Sequence, residues 1–211
     1  MRKTVDAYGG EASLRKAAAV VQAGRLTSIM RAGKEGTIKR VYQRPDRLKV
    51  EVAFPGEDTE IRILNGKKGW RQGKEASGAP LDAMVLQAAR FALPLSLLDR
   101  EKELADRGTV SRDGTTLRAF ELPLGDGLIL TVEIEPSTGR IVRSAARGTS
   151  RVGGAEGSPI EFVTDYGDFR TVAGVLYPFK ERNSAMGRHT GDTVVETVEA
   201  RESLPPGTFK P

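Results

Sequence analysis

The stretch LDAMVLQAARFALPLSLL, from Leu81 to Leu98, decides the fold of this chain. Only Asp82, Gln87, Arg90 and Ser96 in this stretch are strongly polar. A helix that is apolar almost all round cannot lie on a wet surface and must be enclosed by other elements. We therefore expect this segment to lie inside the molecule, covered by the rest of the chain.

The sequence on both sides of this segment has the period of two that is typical of β-strands. Leu48, Val50 and Val52 alternate with polar residues, which indicates a strand with one apolar face. The dipeptide Asn65-Gly66 is a strong hairpin signal shortly after it. Similar turns divide the chain into about eleven strands, too many for a flat sheet, so the sheet is expected to curl.

Together these features predict an α+β fold, mainly antiparallel β with helices. In it, an incomplete β-barrel of about eleven strands encloses a central helix pair. Pro94 should kink or end the first helix of the pair. Ser96 and Asp99 have the spacing of a capping box, which predicts a second helix that runs to about Ala105. The polar stretch after Gly73 is expected to be a loop.

The amino-acid composition bears on which functional classes of protein this chain can belong to. The chain of 211 residues carries 33 Lys and Arg against 28 Asp and Glu, a formal net charge of +5. The basic residues are spread along the strands and matched by acidic ones, which does not favour nucleic-acid binding. With 38% hydrophobic residues the chain can form a core, and residues 1–211 are expected to be a single domain.

Cysteine usage and the chain start bear on compartment. The chain has no cysteine, which excludes disulfides, thiolate metal sites and a lipidated cysteine within these residues. It starts with MRKTVDAYGGE, which has no apolar signal-peptide segment, and no stretch reaches the about 18 apolar residues of a membrane span. Composition leaves open whether the protein is cytosolic or exported after removal of a signal peptide. No cofactor is expected, because no cofactor motif is visible.

Candidate catalytic and metal-binding features are weak. His189 is the only histidine and no G-x-S-x-G motif accompanies it, so we expect a surface residue and no catalytic role. Asp165 and Asp168 could be paired carboxylates, but turn formation at a strand end is the favoured interpretation. The glycine-rich residues 153–157 are expected to form a hairpin loop, since a strand and not a helix follows them. One histidine and no calcium loop predict no metal site.

Several short motifs in a particular order resemble one known family. Their order and spacing are similar to those of the periplasmic lipoprotein-carrier (LolA-like) superfamily and its outer membrane lipoprotein-sorting relatives, over nearly the whole chain. The motifs are Tyr8-Gly9-Gly10, Arg44-Pro45, Asn65-Gly66 with Trp70, Asp165-Tyr166, Gly174-Val175, Tyr177-Pro178 and a final segment from Pro205 to Phe209.

This resemblance implies an unclosed barrel wrapped around helices, with an apolar cavity between them, in an exported, periplasmic protein. It implies non-enzymatic binding or transport of lipid or lipoprotein acyl chains. It also implies that Arg44 hydrogen-bonds to the lid helices and helps to gate the cavity. The residues expected to line the cavity are Leu48, Val50, Val52, Ile61, Ile63, Trp70, Met84, Val85 and Phe91.

A second function stays open beside acyl-chain binding. Arg31, Lys34, Lys39 and Arg40 lie near an early hairpin and could form a contact patch. The curved sheet would then be the docking surface of an envelope sensor or partner-binding module.

Overall fold

The computed structural model describes residues 1–152 and 158–211, and their strands form one antiparallel sheet. The strands are β1 (Ala19–Ser28), β2 (Lys34–Gln43), β3 (Arg47–Ala53), β4 (Glu60–Asn65), β5 (Lys68–Arg71), β6 (Lys74–Ala76), β7 (Ala105–Arg112), β8 (Thr115–Gly125), β9 (Leu128–Ile134), β10 (Ile141–Val152), β11 (Ser158–Val172), β12 (Val175–Ala185) and β13 (Arg188–Arg201). The helices are α1 (Arg2–Ala7), α2 (Gly10–Lys16), α3 (Ala79–Ala92) and α4 (Leu95–Asp99), with 3-10 turns at Ile29–Arg31 and Glu101–Glu103.

The strand order is β6-β5-β4-β3-β2-β1-β13-β12-β11-β10-β9-β8-β7. Consecutive strands pair with each other except β6 and β7, and β1 also pairs with β13, which joins the two halves of the chain in the middle of the sheet. The two ends, β6 and β7, do not pair with each other in the described residues, so the barrel is incomplete, as predicted. The thirteen strands in these residues exceed the expected eleven; β6 lies in the stretch expected to be a polar loop.

The α3 segment lies against one face of this sheet, which we call the inner face. Gly69 of β5 shows how closely it packs, because a Cβ added there would meet the side chains of Leu81 and Met84 at 2.8 and 3.1 Å. Every residue from Leu81 to Leu98 is buried or half-buried. The predicted enclosure of this segment is confirmed.

The break in the helix pair lies where Pro94 predicts it, but the capping-box prediction is wrong. Helix α3 ends at Ala92, and α4 begins at Leu95 directly after Pro94, with no side-chain cap. Ser96 is therefore inside α4 and does not cap it. The helix also ends at Asp99 and does not reach Ala105, where β7 begins. A proline at the N-terminus can start a helix without a cap, because its missing N–H would be unpaired there in any case.

Two apolar clusters form the core, and α3 contributes to both. One cluster is built on β8 to β12 and the N-terminal helices and includes Leu86 of α3. The other is built on β2 to β4 and includes Met84 and Ala88. Helix α3 therefore packs against both clusters. Among the described helices, none is both long and apolar enough to span a membrane.

Candidate functional site

A cavity of about 80 Å³ lies between the C-terminal end of α3 and the inner face of the sheet. Its walls come from α2, α3, β1, β10, β11 and β12 and from the segments that join them, and most of the lining side chains are apolar. The lining residues are Tyr8, Leu14, Ala17, Val20, Gln22, Arg44, Arg90, Phe91, Leu93, Ile141, Tyr166, Val175, Leu176, Tyr177 and Pro178. This cavity is the candidate ligand site.

Arg44 lies at one wall of the cavity and contacts the helix that covers it. Its Nη1 donates a hydrogen bond to the backbone oxygen of Ala92, the last residue of α3, at 3.2 Å. Its Nε is buried and has no hydrogen-bond partner among the described residues. The contact that the resemblance implied between Arg44 and a lid helix is therefore present, while its role as a gate stays a prediction.

Arg90 reaches from α3 to strands β10 and β11, which also contribute to the cavity wall. Its Nε donates to the hydroxyl of Ser144 at 2.9 Å, and its Nη2 donates to the backbone oxygen of Phe162 at 3.4 Å. The Ser144 hydroxyl also shares a hydrogen bond of 2.7 Å with the Tyr166 hydroxyl. Burial lowers the pKa of Arg90 and raises the pKa of Tyr166. All of these acceptors are neutral, so no carboxylate hydrogen-bonds to Arg90 within the described part of the chain.

A buried ion pair lies next to this wall on the same face. Arg40 of β2 donates two hydrogen bonds of 2.7 Å to the two carboxylate oxygens of Glu181 on β12. The two side chains are only 8% and 12% exposed. Burial acts to lower the pKa of Arg40, but the charge and hydrogen bonds of Glu181 outweigh it and leave the pKa raised. Arg40 is thus charged and paired with its own carboxylate through both Nη atoms, while its buried Nε has no partner among the described residues.

The structure divides the predicted lining residues into three groups. Phe91 lines the cavity and stacks on Tyr42, with ring centroids 5.3 Å apart and an interplanar angle of 18°. A second group packs side by side in the β2–β4 cluster beneath the start of α3 and does not line the cavity. This second group consists of Leu48, Val50, Val52, Met84 and Val85.

Ile61, Ile63 and Trp70 form the third group, and they lie on the outer face of the sheet. Ile63 pairs with Lys49 and with Trp70, whereas Leu48 of the inner face pairs with Leu64. Because side chains alternate between the two faces of a sheet, a shift of one residue in the pairing moves every side chain of that strand to the other face. The expectation that these three residues share the hollow with Leu48 is therefore wrong; they line a separate outer groove with Lys210 and Pro211, among others.

The basic residues of the predicted contact patch do not form one surface. Arg31 and Lys34 both form ion pairs with Glu57, the latter at 2.8 Å. Lys39 is exposed on the outer face, while Arg40 is buried on the inner face. Alternation along β2 places Lys39 and Arg40 on opposite sides. Partner binding by the curved sheet stays a prediction without this patch.

The weaker catalytic candidates have structural partners. His189 Nε2 lies 3.0 Å from a carboxylate oxygen of Asp192. Asp165 pairs with Arg143 at 2.6 Å, and Asp168 pairs with Arg170 at 2.7 Å, so the two carboxylates do not act together. The hydrogen bonds from Arg170 lower the pKa of Asp168.

Two further candidates concern the glycine-rich loop and metal binding. The glycine-rich residues 153–157 lie outside the described residues. Within the described residues, no three His, Asp or Glu side chains are grouped as a metal site would require.

Several cavity residues were not singled out from the sequence. Arg90 had a visible signal, because it is the only basic residue between Leu81 and Leu98 and a charge in an enclosed helix needs a reason. Gln22 had none, since it is one polar residue in an alternating strand. Tyr166 was part of the Asp165-Tyr166 motif, but nothing in that motif assigned it to the cavity. Their position at the cavity depends on long-range pairing of strands that no local pattern reveals.

Comparison of the structure with solved structures identifies the fold. A LolA superfamily protein from Nitrosomonas europaea superposes with a TM-score of 0.62 at 12% sequence identity, over 95% of this chain and 97% of that protein. A DUF1329 family protein from Desulfovibrio piger gives a TM-score of 0.53 at 11% identity, over 99% and 94% of the two chains.

An outer membrane lipoprotein-sorting protein domain from Vibrio parahaemolyticus gives a TM-score of 0.52 at 8% identity, over 94% of each chain. No protein-family model and no curated protein matches the sequence. The chain therefore has a LolA-like fold, and sequence identities this low establish the fold alone.

Proposed function

We propose that this protein binds acyl chains of lipids or lipoproteins beneath α3 and carries them within the periplasm, without catalysing a reaction. The observation that carries the proposal is the apolar cavity that α3 covers on the inner face of an open sheet. A cavity with apolar walls and a few polar groups is the usual form of a small-molecule site. The LolA-like fold, shared with a lipoprotein-sorting domain, supports the periplasmic setting.

The size of the cavity indicates that this is a closed form. Its volume is about 80 Å³, whereas an engineered apolar cavity that binds a single benzene molecule has about 150 Å³. An acyl chain is much larger than benzene, so α3 must move away from the sheet to admit one. Each buried methylene contributes about 0.8 kcal/mol, enough for a long chain to compete with the packing of the helix.

Displacement of a neutral naphthylamine fluorophore from the purified protein tests the proposal. Medium-chain fatty acids, their alcohols and an acylated peptide are titrated into the preformed complex. We expect displacement that strengthens with chain length, because the bound apolar area grows with it. Failure of every acyl ligand to displace the fluorophore or to bind in calorimetry would rule the proposal out.

Filling the cavity should weaken binding without unfolding the protein. Ala17 is buried and lines the cavity, so the additional isopropyl group of Ala17→Leu would occupy space where the ligand lies and displace about two of its methylenes. We expect about a tenfold loss of acyl-chain affinity, since about 0.8 kcal/mol is lost per displaced methylene. The free energy of unfolding should be unchanged or higher, as in other cavity-filling variants.

Ala18→Leu is the matched control, because Ala18 is the next residue and does not line the cavity. Denaturant unfolding and the displacement assay are run on both variants. Equal affinity of the Ala17→Leu and Ala18→Leu proteins would place the ligand elsewhere.

Arg44 is expected to hold α3 closed. Replacing it in Arg44→Met removes the hydrogen bond to the Ala92 oxygen while the apolar volume is largely kept. A net contribution of about 1.5–3 kcal/mol is typical of a hydrogen bond from a charged group. We therefore expect roughly tenfold faster amide hydrogen exchange in the last turn of α3 and faster ligand release.

Lys39→Met is the control for this variant, since it removes the same charge from the outer face of β2, the strand that precedes Arg44. If exchange in α3 is the same in both variants, Arg44 does not restrain the helix.

A further inference from the structure

The described residues that line the cavity include two arginines and no Asp or Glu. These arginines are Arg44 and Arg90. A buried cation is costly unless an anion or several good acceptors match it. The wall therefore carries positive charge that the described residues lining it do not neutralise.

The neighbouring Arg40 shows how a carboxylate of the same chain can neutralise a buried arginine. Arg40 is held by both oxygens of Glu181. Among the described residues, the side chain of Arg90 has only the Ser144 hydroxyl and the Phe162 carbonyl as acceptors, and that of Arg44 has only the Ala92 carbonyl. Glu181 forms no hydrogen bond with Arg90 among the described residues, although its charge acts to raise the pKa of Arg90. Burial lowers the pKa of Arg90, as expected for a cation without a carboxylate partner.

The cavity wall carries both apolar and polar side chains, as a site for an amphiphile requires. Leu14, Ala17 and Val20 are apolar, whereas Arg90 comes from the end of α3 and Arg44 from the β2–β3 turn. Gln22 also lines the cavity and is only 5% exposed; its side-chain oxygen, which has no partner among the described residues, can only accept a hydrogen bond. An anion would therefore be bound by the two guanidinium groups and not by this amide oxygen.

We propose that the ligand is an acyl-chain amphiphile with an anionic headgroup, either a carboxylate or a phosphate ester. Arg44 and Arg90 bind this headgroup. The proposal rests on the proposed function, because it names the class of acyl ligand that enters the cavity. Guanidinium groups bind carboxylates and phosphates through paired charge-assisted hydrogen bonds, which a neutral ester or alcohol cannot match. The chain would lie against the apolar side chains while α3 is displaced.

Ligands of equal chain length and different headgroups test this inference. Dodecanoate, dodecyl phosphate and dodecanol are each titrated, below their micelle concentrations, against the neutral fluorophore bound to the native protein. We expect both anions to bind about tenfold or more tightly than the alcohol, as for hydrogen bonds to charged groups. Acetate and inorganic phosphate, which lack the chain, should not displace the fluorophore at the same concentrations.

Variants locate the preference. Arg90→Met and Arg44→Met should each reduce the anion-to-alcohol affinity ratio by about tenfold, whatever the change in affinity that the two ligands share. Lys39→Met removes the same net charge on the outer face and should leave the ratio unaltered. Binding of dodecanol shows that each variant is folded, and the ratio separates headgroup recognition from a general loosening of α3.

Each other outcome overturns the inference. Equal binding of dodecanol and dodecanoate by the native protein would reject the headgroup site and leave acyl-chain binding intact. Binding of none of the three would reject the proposed function as well. Displacement by inorganic phosphate alone would indicate a small-anion site. A ratio that changes equally in Lys39→Met would indicate an effect of net charge.

Discussion

Replacing Glu181 with leucine is expected to lower the free energy of unfolding by about 3–5 kcal/mol, because it leaves Arg40 charged, buried and unpaired. The pair spans strands β2 and β12 and has two hydrogen bonds of 2.7 Å. With 8% and 12% exposure, water cannot take the place of the lost carboxylate. Urea unfolding followed by circular dichroism measures the effect.

The double variant Arg40→Met, Glu181→Leu distinguishes a buried charge from lost packing. Removing both charges should recover most of the stability, since apolar replacements of a buried ion pair are often neutral or stabilising. A double variant as unstable as Glu181→Leu alone would show that the loss comes from packing.

An exposed pair on the neighbouring strands gives the matched control. Arg25 and Glu196 join β1 and β13 at 2.8 Å with 66% and 50% exposure. Glu196→Leu should cost less than about 1 kcal/mol, because water screens such pairs. Equal losses from Glu181→Leu and Glu196→Leu would contradict the burial on which the prediction depends.

The enclosure of α3 could be predicted because it depends on local composition. An apolar helix has no solvent-compatible face, and about eleven predicted strands supply the only surface that can cover it. Pro94 likewise marks a break through its own ring and missing N–H, whatever it packs against. The resemblance of short motifs added the correct fold, which the structural comparison supports.

The lining of the cavity could not be predicted, because it depends on strand register. Ile61 and Ile63 are as apolar as Leu48 and Val50, yet pairing of Ile63 with Lys49 places the isoleucines outside. Arg40 and Glu181 are 141 positions apart, and nothing in either local sequence selects the other. Buried charges of this kind look like solvated strand residues until the strands are paired.

The Tyr8-Gly9-Gly10 motif fixes the N-terminal helices against β12. A Cβ at Gly9 would lie 1.9 Å from the backbone oxygen of Gly174, and the φ of Gly9 is +105°. Beside this contact, the backbone N–H of Leu176 donates a hydrogen bond of 3.2 Å to the backbone oxygen of Tyr8. The backbone N–H of Ile141 donates to the Tyr8 hydroxyl at 3.2 Å. Only glycine permits this approach, and the neighbouring Tyr8 lines the cavity.

Gly9→Ala is therefore expected to lower the free energy of unfolding by about 3–5 kcal/mol, from left-handed backbone strain together with a backbone clash that no side chain can relieve. Gly10→Ala is the matched control: its φ is +83°, but no atom lies within 4 Å of the added Cβ. The control should lose only the conformational part, about 1–2 kcal/mol. The excess loss in Gly9→Ala thus measures the docking of the motif on β12.

The same substitution should also disturb the cavity, because Tyr8 and Val175 line it on either side of this contact. We expect Gly9→Ala, assayed well below its melting temperature, to bind acyl ligands differently from Gly10→Ala. Equal stabilities of the two variants in urea would show that the helices are not fixed at this point. The motif would then have no part in shaping the site.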